Sequence, residues 1–124
     1  MQDPPEKEAL LFAIARFLEE DVRPLVKDPR VNFRILIATH LAATVANECR
    51  TGGADEAAAL ARLRVLYTDA GDASFRALEA RLAKDIRDGA LTGREDDVRS
   101  HVKATLLAKL AVNSPRFDTR TEIE

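Results

Sequence analysis

Tryptophan is absent from this 124-residue chain, cysteine, methionine and tyrosine occur once each, and glycine and proline number only five apiece. A single cysteine, Cys49, excludes an intramolecular disulfide and fits a cytoplasmic protein. Cys49 itself reads as a small buried hydrophobe rather than a reactive thiol. No excess of positive charge exists, with 19 Lys+Arg against 21 Asp+Glu and a net charge of −2. There is also no Lys/Arg-rich face with interleaved aromatics, so no nucleic-acid partner is expected. Long apolar runs are missing too. The longest, residues 35–46, spans 12 residues and contains Thr39, His40 and Thr44. A spanning helix needs about 20, so no membrane partner is expected. The opening residues show no basic stretch followed by an apolar one, and no signal peptide is expected.

What the chain does have is alanine and leucine, 21 and 15 residues, within a composition 46% hydrophobic and 32% charged. That is too apolar for disorder and suits packed helices. The expected architecture is all-α: a compact bundle of about five helices, with residues 1–115 as a single domain and residues 116–124 as a polar tail. Asp3 as a cap, Pro4 at the first helical position and Glu6 three residues after Asp3 announce the first helix. Leu10, Leu11, Ile14, Phe17, Leu18 and Val22 form its stripe, and Pro24 ends or kinks it. Asp28-Pro29 starts a second helix, stopped near Arg50 by Gly52-Gly53. Its apolar residues, Val31 through Cys49, fall on more than one face, which places it at the centre of the bundle. Asp55 opens a third helix closed by Gly71. Asp72 caps a fourth, with the stripe Phe75, Leu78, Leu82, Ile86 and a left-handed stop at Gly89. Glu95-Asp96-Asp97 prepares a fifth, which ends before Pro115. No stretch alternates with strand periodicity.

Motifs for chemistry are scarce. Gly52-Gly53 lacks the Gly-Lys-Ser/Thr of a phosphate loop. One cysteine and two histidines on different helices are a poor start for zinc. Di-iron bundles use Glu-x-x-His, but Ile37 and Val98 stand three residues before the histidines. No catalytic residue, metal or cofactor is therefore expected, and Ser74, Ser100 and Ser114 read as caps or turn residues. His40 is the most ambiguous residue: a neutral, hydrogen-bonded core histidine in most proteins, or a group that orients a ligand together with Thr44 and Asn47. Were the chain an enzyme, His40 would be its acid–base group. Arg34 could hold an acidic partner in a two-pronged hydrogen bond, or cover the bundle with its stem. His101 follows Asp97 by four residues, which suggests a local helix pair. Arg116 and Phe117 close the chain's last helical stretch, and an aromatic on a polar tail is accounted for by a partner that covers it, or by folding back over the core.

Four stretches carry a likeness: Phe33-Arg34-Ile35-Leu36-Ile37-Ala38, Ile86-Arg87-Asp88-Gly89-Ala90-Leu91, His101-Val102-Lys103-Ala104-Thr105 and Lys109-Leu110-Ala111-Val112-Asn113-Ser114-Pro115-Arg116-Phe117. With the opening Gln2-Asp3-Pro4-Pro5, the chain resembles the DUF6285 family of small bacterial proteins over about residues 2–117. The closing stretch is the most specific, and residues 51–73 depart most. The resemblance implies genomic neighbours: a kinase similar to aminoglycoside phosphotransferases and an acyl-CoA dehydrogenase. It further implies a non-catalytic accessory subunit of that kinase in hydroxyacyl-CoA catabolism; the residues themselves offer Arg116, Phe117, Arg34 and His101 as partner-binding candidates. The alternative is a helical module that binds an acyl or CoA ligand without a kinase, using His40, Thr44 and Asn47. A homo-oligomer is compatible with either.

Overall fold

Gly52-Gly53 does not stop the second helix, and the expected five helices become four among the described residues. The computed structural model describes residue 1 and residues 3–116, and these are 78% helical with no strand. Helix α1 covers Lys7–Phe17, α2 Pro29–Leu66, α3 Phe75–Asp88 and α4 Glu95–Asn113. Helix α2 runs for 38 residues through both glycines. A glycine stops a helix by taking positive φ, and among the described residues only Gly71, Gly89 and Gly93 do so. At helical φ each glycine costs only about 1 kcal/mol relative to alanine, and the residues that follow, alanines 54 and 57–59 and Leu60, are among the strongest helix formers.

The start of α1 also differs from expectation. The helix begins at Lys7 behind an extended Glu6 at φ −63° and ψ 155°, and Asp3 does not cap it. Pro4 precedes Pro5, and a residue before proline is held out of the helical region. Pro24 does end the first helical stretch. An α-helix reaching Pro24 would drive its ring into the Glu20 carbonyl. Instead the chain widens to a π turn at Leu18–Val22 and tightens to a 3-10 turn at Arg23–Leu25.

The chain divides into two compact units, Met1–Gly52 and Gly53–Glu124. In the first, Asn32 clamps the 3-10 turn to the start of α2. Its Nδ2 donates to the carbonyls of Arg23 (3.1 Å) and Val26 (3.3 Å), and its Oδ1 accepts from Arg23 Nε (3.0 Å). Asp28 caps α2 as expected, its Oδ1 accepting from Arg30 N at 2.9 Å. The Arg50 guanidinium lies 6.0 Å from the centre of the Phe12 ring.

The second unit holds a core of Leu63, Leu66, Tyr67, Leu78 and Leu82, flanked by Leu60, Ala70, Ala73, Phe75, Leu91 and Val98. Ser74, rather than Asp72, caps α3 by accepting from Ala77 N at 3.2 Å. At the other end of α3, Gly89 takes φ 69°, Ala90 N donates to Asp85 O and Gly89 N to Ile86 O. Those two bonds close two of the four carbonyls that a helix end leaves open. Tyr67 ties this unit together. Its hydroxyl donates to Asp85 Oδ2 at 2.8 Å, and its ring lies 4.1 Å from the Arg81 guanidinium, which itself forks onto Asp69 at 3.0 and 3.1 Å.

The expectation of a central, buried second helix is overturned. Large side chains of its first half stand open: Val31 is 43% exposed, Phe33 60%, Leu41 57% and Val45 49%. The core instead takes up the last turns of α2, at Leu63 and Leu66. An all-round apolar surface records a need for cover. It does not say whose atoms provide it.

Candidate functional site

Phe33, Ile37, Leu41 and Val45 recur at every fourth residue of α2 and therefore lie along one flank of it. All four are exposed. Over about 18 Å of helix they make an uncovered apolar ridge. Leu36 (38% exposed) widens it, and Leu10, Ile14 and Phe17 repeat the pattern on α1. Scattered apolar side chains on a surface are ordinary, but a continuous ridge is characteristic of a surface that meets another molecule. Arg34 is exposed one residue after Phe33.

The residues proposed to orient a ligand scatter. His40 is exposed, not a core histidine, and Thr44 is half-buried. Asn47 is buried, with its Oδ1 accepting from Arg50 Nη2 at 3.1 Å. Cys49 is a free, half-buried thiol. Arg116 is exposed, while Phe117 lies outside the described residues.

His101 is placed differently from any expectation. It is only 4% exposed, and no ion pair joins it to Asp97, whose Oδ2 stands 3.8 Å from Arg94 Nε. Three helices of the second unit meet around it: α2 brings Arg62, α3 brings Glu79, and α4 adds Thr105 one turn on. Burial, reinforced by the positive charge of Arg62, holds the His101 pKa below its ordinary value, while Glu79 opposes the shift. The imidazole is therefore neutral at pH 7. A groove of about 530 Å³ between α3 and α4 runs past it, with apolar walls from Leu82, Ile86, Val102 and Leu106. At the rim Lys109 Nζ reaches Glu79 Oε1 at 4.0 Å. Ser100, expected as a cap, lies within α4. Sequence reasoning passed over Arg62, whose only signal was its place, with Arg64 two residues on, among apolar residues of a helix.

No described helix is long and apolar enough to cross a membrane. The pattern of one protein family, described as "Domain of unknown function (DUF6285)", matches residues 25–117. No curated protein and no solved structure matches the chain.

Proposed function

The chain belongs to the DUF6285 family, and from that premise we propose that it is a cytoplasmic, non-catalytic helical subunit of an aminoglycoside-phosphotransferase-like kinase acting on hydroxyacyl-CoA substrates. The exposed ridge Phe33-Ile37-Leu41-Val45 is the observation that carries the reading. Covering such side chains removes apolar surface from water at about 25 cal/mol per Å², so a partner seated there supplies the burial that the chain's own core does not. Arg34, beside Phe33, offers a guanidinium fork to a carboxylate at the edge of the contact. The kinase as partner follows from the family resemblance; the ridge supports a protein partner and is neutral as to which. In this reading the partner performs the phosphoryl transfer and the helical subunit holds it in its active arrangement.

The test is co-expression with the phosphotransferase-like kinase encoded nearest the gene. The two proteins should co-elute, and Ile37→Glu/Leu41→Glu should separate them while leaving the helical content intact. Separate elution of the unaltered chains, with kinase turnover the same in its absence, defeats the proposal. A homodimer that the same double substitution dissolves assigns the ridge to a second copy and defeats it equally.

A further inference from the structure

The groove between α3 and α4 extends beyond its 530 Å³ stretch. A second hollow of about 320 Å³ continues it past Ile86 and Val102, which line both, to Leu91 and Val98 near the turn that joins the two helices. Ile86, Val102 and Leu106 stand exposed along this strip, and the small side chains of Ala80 and Ala83 keep it open on the α3 side. The strip lies wholly within the second unit and shares no residue with the ridge on α2. Contiguous apolar surface of this kind marks a place where another molecule is met.

The spacing along α4 says which molecule. Glu95, Arg99, Val102, Leu106 and Lys109 follow at steps of four, three, four and three, the spacing of a seam that packs against another helix. The seam is symmetric about Val102. At about 1.5 Å per residue, Leu106 lies about 6 Å to one side and Val98, in the wall of the smaller hollow, about 6 Å to the other. Lys109 and Glu95 lie about 10 Å away on opposite sides. A two-fold axis beside Val102 therefore brings each chain's Leu106 onto the other's Leu91–Val98 hollow, and each Lys109 onto the other's Glu95.

The charges lining the strip fit the same pairing. Where α4 ends, Arg76 and Lys109 meet a single acid, Glu79, which Lys109 Nζ reaches at 4.0 Å. Where α4 begins, Asp85 and Glu95 meet a single cation, Arg99, and its guanidinium is engaged by Asp96 at 3.1 Å. One end is positive and the other negative, and an antiparallel copy of the strip presents the opposite sign to each. We infer that the α3–α4 strip is the contact surface of a two-fold dimer of this chain, with α4 antiparallel to the α4 of the second copy and Lys109 facing its Glu95.

Sedimentation equilibrium of the purified full chain, from micromolar to millimolar concentration, should show a reversible monomer–dimer equilibrium. Val102→Glu/Leu106→Glu, at exposed positions, should leave a monomer of unchanged helical content over that range. Reversing the surface charges supplies a second test that does not disturb the apolar strip. Lys109→Glu and Glu95→Lys, each alone, should weaken the dimer about tenfold or more by setting like charges opposite one another. An equimolar mixture of those two variants should associate about as tightly as the unaltered chain, because opposite charges then meet at both ends of the heterodimer. A chain that stays monomeric throughout, a dimer that survives in the folded Val102/Leu106 variant, or a mixture that associates no better than either variant alone overturns the inference. A dimer dissolved by Ile37→Glu/Leu41→Glu and not by the strip variants overturns it too, and places the second copy on α2. Because strip and ridge are separate, failure of the kinase association leaves this dimer standing, and the reverse holds.

Discussion

Removing the Tyr67 hydroxyl tests how the second unit is held together. Tyr67 is 5% exposed and donates to Asp85 Oδ2 at 2.8 Å. In Tyr67→Phe the ring stays in place, so no cavity opens and only the hydrogen bond is lost. Such a bond to an ionised acceptor contributes about 1.5–3 kcal/mol. Asp85 remains 22% exposed and keeps Arg81 at 3.8 Å, so it regains water and retains a cation. The low end applies, about 1.5 kcal/mol. The phenol carries a second signature. Burial above all, then the bond to Asp85, pushes its pKa up to about 12. An unfolded tyrosine ionises near pH 10. The neutral phenol therefore stabilises the fold fully below about pH 10, and that contribution is lost as pH climbs through about 12. Since the chain has one tyrosine and no tryptophan, phenolate absorbance reports this residue alone. Urea unfolding at neutral pH should show a lower midpoint with an unchanged slope in the variant. The difference between the two proteins should shrink in strongly alkaline solution. An unchanged midpoint, or native phenolate appearing near pH 10, refutes the reasoning.

Other perturbations have equally definite outcomes. Leu63→Ala, at the one large side chain that is fully buried among the described residues, should cost about 2–5 kcal/mol in urea unfolding. Gly53→Ala meets nothing within 4 Å and stays helical, so it should stabilise by about 1 kcal/mol; Gly89→Ala, also unobstructed but at φ 69°, should destabilise by a similar amount. Thermal scans of the pair should move in opposite directions. His101, whose folded pKa is lowered by burial and Arg62, should make stability fall as pH drops below about 6.5, where the unfolded chain takes up the proton first. His101→Gln should flatten that part of the pH–stability profile.

The helical class, the Asp28-Pro29 start, the Pro24 break and the Gly89 stop were all readable because each depends on local backbone chemistry. The same logic failed at Gly52-Gly53, where a stop signal was assigned from residue type although helix or left-handed turn is decided by the neighbours. It failed at Asp3 because the second proline carries the constraint. His40 and His101 show the larger gap. Both sit on helices with mixed faces, and sequence periodicity cannot say which face meets another helix. His40, amid the most apolar run, is open to solvent, whereas His101, beside charged residues, is enclosed by side chains brought from residues 62 and 79. That enclosure depends on contacts distant along the chain, which no local spacing encodes.

The bare flank of α2 has consequences for biosynthesis and handling. Chains whose Phe33, Ile37, Leu41 and Val45 stay bare present sticky greasy teeth to one another. Sulfate and other strongly hydrated salts sharpen that tendency by raising the cost of wetting apolar surface. Purified alone, the protein should therefore clump at modest ammonium sulfate, and molecules in a cell whose flank stays bare should attract chaperones and proteases.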